Sequence, residues 1–534
     1  MNRRARVSCQ RRPGARFPRL FVLGALASLL LPGLAIAAPD GLRLSFTGDT
    51  ATTMTVSWNT AAQTATEVRY GTQMGVYTDT ATGTSFQGAG PLGWIHEATL
   101  TGLEPDTRYY YVAGNAADGW SQEASFTTGP VEDQDCGTFN FVMLGDNRPD
   151  PTFGGGENWP QILAQAMNHQ ISFSLNGGDL VIDGDQLDEW VDFLGWTEAA
   201  ASHVPLMPCL GNHDTGPGEG DTANYNQIFA LPRSSGTHGS GTEDYYYFTF
   251  GNAIFVALST ESFEGGAIPF QTQASYLDEV LTANPKKWKF VWYHKPSYTH
   301  EAYFSISHEP NEDGQNAALM PVIDAHHVDV VFTSHNHWYE RFHPSACATA
   351  GSPGSDSACS VGANNFADGT VYYVTGGAGA FTIPGMLCGS ESGRANCSGD
   401  HHYILVSIQN NVATLETWAA YPQTNQPIDS ITITKPFVTC DEPPGPDAGV
   451  PDAGPMADAG APDSGPLPDA APMVDARPRL DSGPGSDASV SPDSPKQGCS
   501  CQASPSELPS PLPLVLLGGL GLLAIRRRRR RRSM

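Results

Sequence analysis

Thr138-Phe139-Asn140-Phe141-Val142-Met143-Leu144-Gly145-Asp146-Asn147 is an apolar run that ends at a glycine and is followed at once by a carboxylate and an amide. Polar residues follow later apolar runs in the same way, at Gly178-Asp179, Gly211-Asn212-His213-Asp214, His294, and His335-Asn336-His337. Carboxylate oxygens, an amide oxygen and imidazole nitrogens are together the ligand set of a two-metal hydrolytic site. The sequence therefore predicts a metal site assembled at the ends of strands.

The sequence pattern from residue 138 onward is typical of an α/β domain. Apolar runs and helix-like segments alternate along it at 139–144, 159–169, 171–175, 186–201 and 204–210, and further apolar runs follow at 253–258, 289–293 and 328–332. Such alternation predicts βαβ units and a largely parallel sheet with helical cover. Because open α/β sheets bind ligands at the carboxyl ends of their strands, Asp146, Asp179, Asn212 and His294 are expected to converge on one edge.

Two other stretches are strand-rich. The runs 245–250, 371–374 and 403–408 predict a second sheet packed on the first. Residues 41–130 carry short alternating runs with turn signals about every ten residues, which predicts a small β-sandwich. Within it, Leu103–Tyr109 resembles the tyrosine-corner turn of fibronectin type III domains.

The two ends of the chain look like targeting segments. Residues 1–37 combine seven arginines, an apolar stretch and Ala-Ile-Ala, which predicts a secretory signal peptide; the alternative is a membrane anchor, for which about 15 apolar residues are too few. Residues 441–497 repeat Pro-Asp-Ala-Gly-like units and predict a disordered acidic linker. Residues 498–534 hold a cysteine motif, a short apolar run and seven arginines, and resemble the MYXO-CTERM sorting signal. The alternative is a plain tail anchor. Both interpretations place the folded part outside the cytoplasm, secreted and attached to the cell surface at the outer membrane.

Charge and cysteines agree with an extracytoplasmic protein. The chain of 534 residues has a net charge of −27 although seven arginines lie at each end, so it is not expected to bind nucleic acid. Ten cysteines suit an oxidising compartment. We predict the disulfides Cys136–Cys440, Cys347–Cys359 and Cys388–Cys397, with Cys209 free.

The motifs resemble a known family. Gly-Asp, Gly-Asp, Gly-Asn-His-Asp, His294-Lys295-Pro296 and His335-Asn336-His337-Trp338-Tyr339-Glu340-Arg341 are similar to those of the calcineurin-like metallophosphoesterase superfamily, and the last motif is closest to the purple acid phosphatases. The resemblance implies an α/β fold, a four-layer α/β/β/α sandwich over residues 137–436, preceded by an all-β, fibronectin III-like sandwich over residues 38–130. It also implies two divalent or mixed-valence transition metal ions, Fe, Zn or Mn.

The resemblance assigns a role to each motif residue. Asp179 is the bridging carboxylate, and one metal adds Asp146 and His337. The other metal is implied to add three further ligands: Asn212, His294 and His335.

For the chemistry, the family pattern implies in-line attack of a metal-bound hydroxide on phosphorus. His213 is implied as a phosphate contact, and Asp214 is expected to orient it by a hydrogen bond. For the proton donor we expect His300, with His308 second and also a candidate for substrate binding. These assignments make His213, His300 and Asp214 the candidate catalytic residues.

The sequence departs from the family at two positions. Ile182 stands where purple acid phosphatases have a tyrosine ligand, so neither a charge-transfer colour nor a locked ferric ion is expected. Arg148 stands where many superfamily members have a histidine ligand, and it can instead hold the phosphate bidentately. One metal site thus lacks a usual protein ligand.

The expected function is hydrolysis of phosphate monoesters, with a small-molecule phosphoester as substrate and membrane attachment only through the C-terminal tail. A phosphodiesterase or nucleotidase on the same metal centre is the alternative enzyme. A non-catalytic surface binding module is the alternative from another class, favoured by the departures at Ile182 and Arg148.

Overall fold

The computed structural model describes most of the region between residues 38 and 440. The described ranges are 38–148, 158–218, 220–261, 269–300, 308–346, 361–362, 364–385, 388, 393–423, 425–436 and 439–440. The predicted signal peptide, linker, sorting signal and Cys347–Cys359 bridge lie outside these residues.

The N-terminal domain is an all-β sandwich. Its strands are β1 (Asp40–Ser45), β2 (Thr53–Thr60), β3 (Glu67–Gly71), β4 (Asp79–Thr82), β5 (Thr84–Gln87), β6 (Trp94–Thr101), β7 (Arg108–Asn115), β8 (Gly119–Trp120) and β9 (Ala124–Thr127). One sheet has the order β1-β2-β6-β5, and the other has β4-β3-β7-β8 with β9 also on β7. The tyrosine-corner prediction holds, because the backbone amide of Glu104 donates to Tyr109 Oη at 2.9 Å.

The first sheet of the second domain has six strands. Its elements in chain order are β10 (Thr138–Leu144), α1 (Asn158–Ala166), β11 (Phe173–Asn176), α2 (Leu187–Ala201), β12 (Leu206–Pro208), β20 (His402–Gln409), β21 (Val412–Ala419) and β22 (Gln426–Thr434). The strand order is β12-β11-β10-β20-β21-β22, with β10, β11 and β12 parallel. The remaining pairings in this sheet are antiparallel.

The second sheet has seven strands. Its elements, after the short helix α3 (Asn224–Ile228), are β13 (Tyr246–Phe250), β14 (Ala253–Ala257), α4 (Phe270–Ala283), β15 (Trp288–Trp292), α5 (Asn316–Ala325), β16 (Val330–Thr333), β17 (Tyr339–Phe342), β18 (Val371–Thr375) and β19 (Arg394–Ser398). The order is β13-β14-β15-β16-β18-β17-β19, with β14, β15, β16 and β18 parallel.

Side-chain alternation along the strands separates the layers. Phe141 on β10 faces Phe255 and Phe290 of the other sheet, with ring centroids 5.1 and 5.2 Å apart. Its neighbour Val142 belongs to the outer core with α1, whereas Ile254 belongs to the outer core with α4 and α5. Two sheets packed face to face, each covered by helices, form the expected four-layer sandwich.

The predicted grouping of strands into sheets is wrong. The run 403–408 was expected in the second sheet, but it forms β20 and pairs with β10 in the first. The runs 245–250 and 371–374, as β13 and β18, share one sheet with β14, β15 and β16. Strand partners depend on the paths of the intervening helices, and local sequence periodicity does not report those paths.

The two domains pack together closely. Buried Arg43 on β1 donates to the Ile228 carbonyl at 2.8 Å, and Tyr111 Oη donates to the Ser202 carbonyl at 2.8 Å. Two predicted disulfides are present, Cys136–Cys440 and Cys388–Cys397, and Cys209 is free and buried. In the part of the chain that the structure describes, no helix has the length and apolar character needed to cross a membrane.

Candidate metal centre

The strand ends turn sharply where they deliver the polar residues. Asp146, Asp179 and His335 all have a positive φ, between 54° and 69°, which is unusual for residues other than glycine. Such backbone strain persists where the surrounding structure fixes it and is concentrated at functional sites. The turns also approach each other closely, since a Cβ at Gly145 or Gly177 would collide with Ser334 Oγ.

One group of possible metal ligands contains Asp146, Asp179 and His337. All three side chains are nearly buried, and one ligand atom from each lies within 4.8 Å of the others. Asp146 Oδ1 is 3.3 Å from His337 Nε2. Asp146 therefore faces His337 with one oxygen and leaves the other for the protein backbone.

A second group contains Asp179, His294 and His335, again with ligand atoms within 4.8 Å of one another. His294 Nε2 lies 3.2 Å from Asp179 Oδ1, 3.0 Å from His335 Nδ1 and 3.1 Å from Asn212 Oδ1. His294 Nδ1 is 2.8 Å from the Gly177 carbonyl, so its N–H can donate there and Nε2 stays available for a metal. The structure thus brings together all six residues predicted as ligands, with Asp179 common to both groups.

The donor set fits two transition metal ions. Two carboxylates, three imidazoles and an amide oxygen suit Zn, Fe or Mn. Asp146 Oδ1 is buried and has no hydrogen-bond partner among the described residues, as expected for an oxygen reserved for a cation. The residues present therefore fit the metals that the motifs imply.

In the protein without metal, Asp179 is paired with positive charge and His335 is neutral, whereas His294 carries a proton that a bound metal would displace. Burial by itself would raise the pKa of Asp179, but His294, His213 and Arg148 hold the pKa of this carboxyl well below its usual range. Burial lowers the pKa of His294, yet the charge and hydrogen bond of Asp179 outweigh it and raise that pKa to about 10. Burial lowers the pKa of His335 to about 4, which keeps this imidazole neutral as metal binding requires.

The prediction that Asp214 orients His213 is wrong. The buried Asp214 carboxylate instead accepts three short backbone hydrogen bonds, from the amides of Leu180, Asp179 and Gly211 at 2.7, 2.8 and 2.9 Å. These bonds tie the Asp179 turn to the Asn212 turn. Sequence position alone could not reveal this role, since backbone amides of a turn carry no residue signature.

His213 lies at the edge of the two groups of ligands. Its Nδ1 is 2.5 Å from the Ile182 carbonyl, and its Nε2 is 3.9 Å from Asp179 Oδ2. The side chain remains 30% exposed. His213 is therefore oriented by a backbone carbonyl, and its partly exposed ring keeps Nε2 beside Asp179, next to the predicted metal ligands.

Arg148 also contacts the predicted bridging residue. Its Nε donates to Asp179 Oδ2 at 3.2 Å, and its side chain is mostly buried. The arginine thus takes the place beside the centre where many superfamily members have a histidine.

The two candidate proton donors occupy different places. His300 donates its backbone amide to the Glu340 carboxylate, and its ring is 6.4 Å from that of Trp338. His308 lies directly on a predicted ligand, with its ring centroid 3.6 Å from that of His335. His308 is therefore in direct contact with a predicted metal ligand.

Sequence reasoning missed two residues around His308. Glu312 Oε2 lies 3.3 Å from His335 Nε2 and 3.4 Å from His308 Nδ1. Its spacing of four residues from His308 carried no signal, because residues 308–312 precede α5 and do not form a helix. Asn336, between the two histidines of the last motif, is fully buried and hydrogen-bonds to the backbone of His308.

Comparisons with known proteins agree with this geometry. Residues 140–339 match the family model of the calcineurin-like phosphoesterases, and residues 39–128 match that of the purple acid phosphatase N-terminal domain. Acid phosphatase type 7 of Mus musculus is 28% identical over 328 residues, covering 57% of this chain and 71% of the relative. Purple acid phosphatase 23 of Arabidopsis thaliana is 28% identical over 355 residues, covering 58% and 73%. The structure of purple acid phosphatase PPD1 from yellow lupin (Lupinus luteus) seeds has the same fold, with a TM-score of 0.59 at 20% identity over 76% of this chain and 78% of that one.

Proposed function

We propose that this chain, which belongs to the calcineurin-like phosphoesterases and carries a purple acid phosphatase N-terminal domain, hydrolyses phosphate monoesters at a two-metal site. The observation that carries the proposal is the sharing of Asp179 by two groups of metal ligands. A carboxylate has two oxygens and can span ions about 3.5–4 Å apart, which is the spacing of two-metal phosphatases.

The residues divide the work between binding and reaction. When bound, the metals supply positive charge to hold the phosphate and to activate water. Asp146, Asn212, His294, His335 and His337 would hold the ions, and Asp179, which belongs to both groups of ligands, would be shared between them. The other groups act on the ester itself.

Three side chains beside the predicted metal ligands complete the proposal. His213, oriented by the Ile182 carbonyl, contacts a phosphoryl oxygen through Nε2. Arg148 adds a guanidinium beside Asp179. His308, whose ring lies 3.6 Å from that of His335 and is 47% exposed, gives a proton to the departing alkoxide.

A substrate panel tests this function. Purified protein is reconstituted separately with Mn²⁺, Zn²⁺ and Fe²⁺ and assayed on phosphate monoesters, diesters and nucleotides, beside the matched variant Asp179→Ala. We expect monoester hydrolysis that the variant lacks. Faster hydrolysis of diesters or nucleotides would support the alternative enzyme. Equal rates for the two proteins, or none with any metal, would overturn the proposal and favour a binding module.

We also propose that the protein is secreted and held at the cell surface through its C-terminal tail. The support is the targeting pattern of residues 1–37 and 498–534 together with two disulfides, Cys136–Cys440 and Cys388–Cys397, which suit an oxidising compartment. Protease treatment of intact cells should release the folded domains. Retention of the protein in the soluble cytoplasmic fraction would contradict this location.

A further inference from the structure

Asn336 is a buried polar residue between two predicted metal ligands, His335 and His337. Its side-chain amide makes three hydrogen bonds. Oδ1 accepts the backbone amide of His308 at 2.6 Å, and Nδ2 donates to the His308 carbonyl at 3.1 Å and to Thr299 Oγ1 at 2.7 Å. The Asn336 amide therefore hydrogen-bonds to both the backbone N–H and the backbone carbonyl of His308.

This double contact needs a primary amide. Leucine would offer neither donor nor acceptor, and aspartate would offer acceptors alone. Thr299 cannot compensate for an aspartate, because its hydroxyl already donates to Glu340 Oε2 at 2.6 Å. An aspartate at 336 would thus set oxygen against the His308 carbonyl and against an oxygen whose proton is already used.

His308, which the Asn336 amide binds, is also the residue that contacts the candidate metal centre. The His308 ring lies 3.6 Å from the His335 ring, and Glu312 Oε2 lies within 3.4 Å of a ring nitrogen of each. The His308 side chain is otherwise 47% exposed, so packing alone does not fix it. The Asn336 amide restrains the backbone of His308. It lies in the same motif as the predicted ligands His335 and His337.

We propose that Asn336 is a positioning residue that holds His308 beside His335 for proton transfer to the leaving group. The inference rests on the proposed phosphatase function. In the step it serves, a bond forms between water oxygen and phosphorus, and the bond from phosphorus to the ester oxygen breaks. The departing oxygen takes the proton of His308, and the ring regains one from the attacking water through solvent.

Leaving-group dependence separates this role from a merely structural one. Loss of a positioned acid slows esters with poor leaving groups most, because good leaving groups depart without a proton. For Asn336→Ala and Asn336→Asp we expect kcat on an alkyl phosphate to fall roughly 10–100-fold further than kcat on 4-nitrophenyl phosphate, with KM and bound metal unchanged. Thr299→Val is the matched control, since it removes the third hydrogen bond of Asn336 but keeps both bonds to His308. It should lack the differential loss.

Hydrogen exchange provides a readout that needs no catalysis. In the full-length, metal-loaded protein, the backbone amide of His308 should exchange faster in Asn336→Ala than in the wild type or in Thr299→Val. Equal losses on both esters, or unchanged exchange at His308, would overturn the proposal. If the wild type hydrolyses no monoester, the proposed function fails, while the exchange experiment still decides whether Asn336 restrains His308.

Discussion

The Asp146 carboxylate accepts the backbone amide of His335 through Oδ2 at 2.8 Å, and its Oδ1 faces His337 Nε2 at 3.3 Å. One oxygen thus holds the turn that carries a ligand of the second metal group. The other oxygen is buried without a hydrogen-bond partner among the described residues. A single carboxylate therefore links the two groups of candidate ligands through the backbone while belonging to only one of them.

Asp146→Asn should remove one metal and leave the other. The amide keeps an oxygen that can accept from the His335 backbone, but it loses the charge that binds the ion beside His337. We expect bound metal to fall from about two ions to about one per chain, with activity lower by roughly 10²-fold or more. Elemental analysis of purified protein measures this. Exposed Asp183→Asn is the control, and two tightly bound ions in Asp146→Asn would contradict the assignment.

Asp179→Ala should remove both metals, because Asp179 belongs to both groups of ligands. The variant also leaves His294 and Arg148 without the carboxylate that they contact at 3.2 Å. Addition of Zn²⁺ should raise the melting temperature of the wild type, since a ligand bound only by the folded state stabilises it, and should leave the variant unchanged. An equal shift in both proteins would show that the stabilising ion binds elsewhere.

Stability in acid should depend on His96 in the N-terminal sandwich. This ring is fully buried, stacks on Trp58 at 5.0 Å and lies 2.8 Å from the hydroxyls of Thr60 and Thr66. Burial lowers the pKa of His96 to about 4. Between pH 6.5 and 4 the unfolded chain therefore binds a proton that the folded chain does not, so stability falls as the pH falls, by up to about 3 kcal/mol.

The variant His96→Gln removes this titration and keeps polar atoms near both threonines. We expect a lower urea midpoint than wild type at pH 7, with the gap narrowing or reversing near pH 4.5. Urea unfolding at several pH values provides the measurement. Parallel pH curves for the two proteins would rule out a contribution from His96.

The two observed disulfides should differ in their effect on stability. Cys136–Cys440 joins residues 304 apart in sequence, whereas Cys388–Cys397 joins residues nine apart. A longer closed loop removes more entropy from the unfolded chain. Replacing both Cys136 and Cys440 by serine should cost about 2–5 kcal/mol, and the matched pair Cys388→Ser and Cys397→Ser should cost less. The opposite order in denaturant midpoints would refute the loop argument.

The sequence predicted the parts of the site that depend on strand ends. Asp146, Asp179 and His294 follow apolar runs. The parallel neighbours β10 and β11 bring Asp146 and Asp179 together as expected, whereas His294 follows β15 of the second sheet. The disulfide pairing across the domain also followed from spacing. The strand-end residues are local in sequence, whereas the Cys136–Cys440 bridge was predictable because the two cysteines bracket the central region.

The remaining features depend on contacts that local patterns do not encode. Asp214 bonds to backbone amides rather than to its neighbour His213. In the sequence, Glu312 looks like any acidic loop residue, and only the fold brings it into contact with His335. The position of β20 beside β10 depends on a chain return of more than 200 residues, which periodicity cannot report.

The Cys136–Cys440 bridge also determines how the molecule carries mechanical load. A pull on the chain beyond residue 440, resisted at the N-terminal sandwich, passes through the two sulfurs to Cys136 and then to β9. The 304-residue span that contains the metal ligands lies outside that path. A tether attached after Cys440 can therefore be stretched without tension being carried along the backbone of the catalytic domain.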